Sequence, residues 1–185
     1  MSSKTFSKND FDSDSGMMTS VWGPSMWHCL HTISFNYPIK PNKKTKEQYY
    51  NYMKALNHVL HCKHCRDNYQ KNLKSVKFSK RVFKNRNTFS RFMYDFHEEV
   101  NKMLGKQSNL TYEDVRTRYE HFRSRCISEE KNNSNLENGC VQAFYGKKSK
   151  CILQIVPKSS KKKTFKMSPK CKIKKLYGGN FKFKN

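Results

Sequence analysis

Apolar residues recur at three- and four-residue steps through most of the first 125 positions, and no stretch alternates with a sustained period of two. That pattern predicts an all-α chain. Met26, Trp27, Leu30 and Ile33 define a first helix that opens at Gly23-Pro24, because proline suits a first helical turn, and ends in the two prolines of "YPIKPNKK". A second helix begins near Thr45, which has capping-box spacing to Gln48, and carries Tyr49, Tyr52, Met53, Leu56, Val59 and Leu60 on its apolar face. A third covers about Arg66 to Leu73. The fourth follows Thr88 and sets Phe89, Phe92, Met93, Phe96, Val100, Met103 and Leu104 on one stripe, with Gly105 as its C-cap. A last helix starts at Thr111, with Asp114 three residues on, and lines up Val115, Tyr119, Phe122 and Cys126. Five helices joined by short loops make a small bundle.

Composition adds polar extensions to that body. The chain has 185 residues and only 35% apolar content, against about 45–50% in an ordinary globular domain. Residues 1–16 are polar, rich in Ser and Asp, and expected to be disordered. The net charge is +24; the last acidic residue is Glu137, and fourteen lysines lie between Lys147 and Lys184. Residues 127–185 therefore read as a Lys-rich flexible tail, suited to nonspecific polyanion contact because lysine runs grip phosphates without selecting sequence. No run approaches the roughly 18 apolar residues of a membrane helix, and the N-terminus has no apolar h-region. The expected location is the cytosolic side of a membrane, with no membrane partner.

Seven cysteines change the picture. "VLHCKHCRDNY" places His61, Cys62, His64 and Cys65 within five residues, between the second and third helices. In a reducing compartment a close cysteine pair points to metal or to redox chemistry rather than to a structural staple. A zinc site needs a second ligand pair. His97, His121, Cys126 and Cys140 are candidates, yet none forms a second close pair, so the expected metal set is none. A redox pair at a helix start gains more from its surroundings: the amide-rich N-terminus, Lys63, Arg66 and the flanking histidines all favour a thiolate. Thioredoxin-like proteins set such a pair beside strands. An all-helical protein needs a different electron acceptor.

"WGPSMWHCLHTISFNYP", the Cys-x-x-Cys and "FHEEVNKMLGK" follow one another in the order and at about the distances seen in Erv/ALR-type FAD-linked sulfhydryl oxidases. The resemblance runs from about Met17 to Cys126 and implies an oxidase domain over 17–126, with four helices enclosing FAD and a short fifth closing over it. It also implies disulfide formation in thiol-bearing substrate proteins, or in a thioredoxin-like carrier, with oxygen as acceptor and hydrogen peroxide as product. Cys62 and Cys65 are then the catalytic pair, Cys62 exchanging with substrate and Cys65 lying next to the flavin. The family's cofactor-binding positions fall on Gly23, Trp27, His31, His97, Val100, Asn101, Lys106, Arg118 and Tyr119. Trp27 offers a flat face, His97 and Asn101 lie one turn apart, and Lys106 and Arg118 can offset phosphate charge.

The chain departs from the family's pattern at several positions. Glu98 replaces the first asparagine of the His-Asn-x-Val-Asn element, Tyr119 the last-helix tryptophan and Leu60 a tyrosine before the pair. The first cysteine of the usual C-terminal disulfide is absent from "SNLTY", so Cys126 is either free or paired with Cys140. Cys29 reads as a small buried hydrophobe. Cys140, Cys151 and Cys171 are candidates for a relay to bulky substrates. The resemblance further implies a homodimer and, given the Asn/Lys-rich composition, a member from a large DNA virus acting in host cytoplasm or virion. The competing reading is a helical zinc- or nucleic-acid-binding module built on the His/Cys cluster and the basic tail.

Overall fold

The computed structural model describes residues 7–127, 139–163 and 165–171; the start of the expected disordered N-terminus and much of the Lys-rich tail lie outside the described residues. Residues up to Asn109 form one compact unit and those from Leu110 a second. The expected domain over 17–126 takes in parts of both.

The first unit is built on four long helices: α2 (Thr19–Asn36), α3 (Lys43–Val59), α4 (Lys63–Ser75) and α5 (Arg86–Met103). A single turn, α1 (Lys8–Phe11), precedes them, and a 3-10 turn (Lys80–Phe83) leads into α5. α5 has the strongest sequence logic. Asn85 and Thr88 close a capping box at its start, three residues earlier than the pattern suggests. Phe89, Phe92, Met93 and Phe96 then face inward, each at most 5% exposed. Burial of such side chains contributes about 1.5–3 kcal/mol each. Beyond them the stripe surfaces: Met103 and Leu104 are exposed, and Gly105, at φ +64°, ends the helix in the left-handed region. α2 and α4 both pack on α5, and α3 packs on α4 and on the 3-10 turn. Tyr37 anchors the base of this arrangement: it is fully buried, its hydroxyl donates to the Phe83 carbonyl at 3.0 Å, and its own carbonyl accepts from Arg86 Nε at 2.6 Å.

Several expectations need correction here. α2 begins at Thr19, so Pro24 lies inside the helix, at its sixth residue. The proline forgoes one bond to the Ser20 carbonyl, and the extra turn is held instead by Trp22 Nε1–H donating to the Met17 carbonyl at 3.0 Å. On α3 the buried line is Met53, Leu56 and Leu60; Tyr52 and Val59 sit one residue to the side of it and are exposed. Cys29 is also exposed, because it shares the outer stripe of α2 with Ser25, Thr32 and Asn36. Residues 7–16, expected to be disordered, carry the capped turn α1 and a backbone bridge from Gly16 to Cys62.

In the second unit, α6 (Tyr112–Glu120) starts at the expected Thr111–Asp114 capping box and buries Tyr112, Val115 and Tyr119. It stops before Phe122, which is exposed. Cys126 instead lies on a strand, β1 (Ser124–Ile127), antiparallel to β2 (Gly139–Ala143). The sequence shows no sign of these strands, since four and five residues are too few to display a period of two. Cys126 and Cys140 are joined in a disulfide across them, which resolves the two alternatives for Cys126 in favour of pairing.

Candidate functional site

Cys62 is the N-cap of α4, and its Sγ accepts the Cys65 N–H at 3.3 Å. The pair is therefore wound into the first turn of a helix, as its spacing demands. Both cysteines are free thiols and half-buried. Cys65 packs against the aromatic core, and Tyr69, one turn further along α4, is buried within it. At Cys65 the influences that favour a thiolate meet an opposing one. Burial pushes the Cys65 thiol up to about 12, helped by its hydrogen bond to Cys62 and the Cys62 charge; Arg66 and the Cys65 amide pull the other way without prevailing. Cys65 therefore holds its proton at neutral pH. Arg66 is held beside the pair by donating Nη1–H to the Leu60 carbonyl at 2.6 Å. The flanking histidines are engaged elsewhere: His61 stands edge-on to Trp22 and His64 meets Asn68.

A second group of expected residues comes together on α2 and α5. Gly23, Trp27 and His31 follow one another at four-residue steps and share a stripe of α2. His97 projects from α5 to meet them. Its ring is stacked on Trp27, with centroids 3.9 Å apart and planes within 7°, and its Nδ1 lies 3.0 Å from His31 Nε2. Burial drives the His97 pKa down to about 4, with Lys106 adding to the shift and Glu98 opposing it. Burial thus keeps the His97 ring uncharged at neutral pH, with its Nδ1 facing His31 Nε2. The Trp27 face that the sequence reading left for a cofactor ring is taken by His97. At the other end of the stripe, a Cβ built on Gly23 meets nothing within 4 Å, so nothing in the chain itself requires glycine there.

Val100 packs against the same core. Asn101, one turn beyond His97, donates Nδ2–H to Glu98 Oε1 at 3.0 Å. The Glu98 departure therefore has a structural consequence: the amide expected to face a ligand is drawn to the carboxylate. Asn101 also accepts the Lys106 N–H through its carbonyl at 2.8 Å, which fixes Lys106 just past the Gly105 cap. Ring contacts run from Tyr69 edge-on to Phe96 at 5.4 Å and from Phe96 to Trp27, tilted, at 5.7 Å, within the core against which Cys65 also packs. In the second unit Arg118 lies over the Phe165 ring at 5.0 Å, and Tyr119 is buried, with burial pushing its phenol pKa up.

Sequence reasoning missed two features. A polar cleft of about 390 Å³ is lined by Asn57, His58, Arg66, Asp67 and Gln70, at the junction of α3 and α4. The contact of Gly16 with Cys62 was also unforeseen, because pairing between residues so far apart leaves no periodic trace. Among the described residues no three His, Cys, Asp or Glu side chains are placed to hold a metal, and no helix is long and apolar enough to cross a membrane.

Comparison with known proteins places these residues in a family. The Erv1/Alr family profile matches residues 24–122. A protein of Acanthamoeba polyphaga mimivirus named as a probable FAD-linked sulfhydryl oxidase is 32% identical over 99 residues, covering 54% of this chain and 68% of that protein. The yeast Erv1 core superposes with a TM-score of 0.50 at 23% identity, over 64% of this chain and 92% of its own. The FAD-binding domain of Erv1 from Saccharomyces cerevisiae also gives a TM-score of 0.50 at 23% identity, over 56% of this chain and 94% of its own; at this identity the two structures show a shared fold. Cys62 and Cys65, Trp27 and His31, and His97 through Lys106 all lie inside the matched span, and the chain belongs to the Erv1/Alr family.

Proposed function

We propose that the chain is an FAD-dependent thiol oxidase, forming disulfide bonds in substrate proteins through Cys62 and Cys65. The observation that carries this reading is a cysteine pair wound into a helix N-terminus, its Cys65 packed on the same aromatic core as Trp27, on which His97 stacks. FAD, when bound, supplies the two-electron acceptor for the reduced pair and delivers those electrons to oxygen, giving hydrogen peroxide.

The donor set fits such a group. The uncharged His97 imidazole, the His31 ring and an indole offer polar edges and apolar faces, which suits a planar heterocycle. The open space at Gly23 allows close approach to the α2 backbone. Gly23, Trp27, His31, His97, Val100 and Asn101 would hold the ring system, and Lys106 would offset phosphate charge. Arg118 and Tyr119 are assigned to the cofactor on the strength of the matched motif. The oxidase domain is assigned to 17–126 on the same basis.

The chain's own chemistry is disulfide exchange. A substrate thiolate attacks Cys62 Sγ of the oxidised pair, breaking its bond to Cys65, whose sulfur leaves and takes up a proton. The second substrate thiolate then attacks the mixed disulfide and releases Cys62 as thiolate. The substrate has lost two electrons and the pair has gained them. Cys62, at the N-cap, is placed to be the attacked sulfur in the first exchange and the leaving sulfur in the second. The raised Cys65 pKa keeps its proton in place until a neighbouring group draws charge onto it. Oxidation of one dithiothreitol to its disulfide per oxygen consumed and per hydrogen peroxide formed is expected in an oxygen electrode. Cys65→Ser should fall to the background rate, and retained turnover in that variant would end the assignment.

A further inference from the structure

Ser15–Met17 runs antiparallel to His61–Lys63, with Gly16 directly opposite Cys62. Met17 N–H donates to the His61 carbonyl at 2.6 Å, and Lys63 N–H donates to the Ser15 carbonyl at 3.4 Å. Trp22 secures both sides, bonding the Met17 carbonyl through Nε1–H and packing edge-on to His61 at 5.2 Å. Gly16 is what lets the two backbones meet. Its φ is +100°, and a Cβ there would collide with the His61 carbonyl oxygen and lie 2.9 Å from Cys62 Cα.

The contact is made by main chain alone. Ser15, Gly16 and Met17 are all exposed, and Met17 keeps 70% of its surface. A grip of this kind uses backbone alone, so the edge at His61–Lys63 can accept an extended polypeptide that either has glycine opposite Cys62 or stands further off there, as strand addition does elsewhere. Such tolerance is what a disulfide-forming site needs, and the edge lies immediately beside the exchanging sulfur. Cys62 itself remains partly open with the segment in place, so a small dithiol can reach it without displacing anything. A polypeptide cannot use the same edge while Ser15–Met17 holds it. Because any residue with a side chain must stand further off than Gly16, the internal segment fits the edge more tightly than a cysteine-bearing strand.

We propose that the backbone edge His61–Lys63 is a docking edge for an extended segment of the substrate protein, and that Ser15–Met17 occupies it as an internal competitor. The inference rests on the thiol-oxidase reading and adds to it how the protein substrate is gripped. Two backbone hydrogen bonds correspond to about tenfold in occupancy of the edge.

The test compares two substrates on the flavin-loaded full chain: dithiothreitol, and a reduced unstructured peptide of about 20 residues carrying two cysteines. The informative quantity is the ratio of kcat/KM for peptide over dithiothreitol. Deletion of residues 2–16 and the variant Gly16→Ala should each raise that ratio by about three- to tenfold. A synthetic peptide of residues 10–20 should inhibit peptide oxidation competitively while sparing dithiothreitol oxidation. If the deletion does not fold, Gly16→Ala and the added peptide decide. An unchanged or lowered ratio, or equal inhibition of both substrates, overturns the docking edge. Absence of dithiothreitol turnover in the unaltered protein would overturn the oxidase reading instead.

Discussion

Cys62 and Cys65 stand three residues apart at the start of a helix, both thiols free, whereas Cys126 and Cys140 are separated by 14 positions and joined across a two-stranded hairpin. The first pair would close a ring within one helical turn, where a cross-link removes little freedom from the unfolded chain. The second closes a loop long enough for that loss to contribute about 3 kcal/mol. Their surroundings differ as well. Cys65 packs against an aromatic core and exchanges a hydrogen bond with its partner, while Cys126 and Cys140 are exposed and carried by short strands. Spacing and placement together make one pair fit to open and close, and the other fit to stay shut.

The sharpest way to break that comparison is to remove each pair in turn. Cys65→Ser should abolish dithiol-dependent oxygen uptake, and the double variant Cys126→Ser/Cys140→Ser should retain it; loss of turnover in the double variant would erase the distinction. The double variant should instead lower the stability of the second unit by about 3 kcal/mol in denaturant unfolding.

A third outcome concerns the stacked rings of Trp27 and His97, held by burial rather than by a covalent bond. The folded His97 pKa, about 4, lies below its unfolded value of 6.5. As pH falls, the unfolded chain takes up this proton first. The stabilising contribution is complete above pH 6.5 and is lost between 6.5 and about 4, amounting to up to about 3 kcal/mol. Urea unfolding at pH 7.5 and 4.5 should show this loss in the native chain and a shallower one in His97→Gln. Equal slopes would mean that His97 is not held neutral. The smallest effect separates the two sulfurs of the redox pair. With Cys65 held protonated, N-ethylmaleimide should label Cys62 of the reduced protein at least about tenfold faster at neutral pH, and the reverse order would place the thiolate on Cys65.

Much of the bundle was legible because α5 and α6 carry their own punctuation, whereas α3 is capped by Asn42 and not by the expected Thr45–Gln48 box. Thr111–Asp114 and Gly105 sit where their chemistry predicts, and the Phe89–Phe96 stripe is buried as its period requires. Trp27 and His31 share a face by spacing alone. That His97 would close over Trp27 and bond His31 depends on how α2 meets α5, and no local pattern encodes it. The strands of 124–127 and 139–143 were hidden by their brevity, and the Gly16–Cys62 bridge by its sequence separation. The upward shift of the Cys65 thiol was hidden for a different reason. Helix-end position and nearby cations are visible in the sequence, but the burial that outweighs them appears only when α4 is packed on α5.

The central claim is that Cys65 passes electrons from a dithiol to a bound flavin, and anaerobic absorbance spectroscopy reads that transfer without relying on turnover. The purified chain should be yellow, with a flavin band near 450 nm on the order of one flavin per chain that bleaches when dithiothreitol is added. Cys65→Ser should keep the band and resist bleaching. A colourless protein, or a Cys65→Ser variant that bleaches as fast as the unaltered chain, would contradict the account.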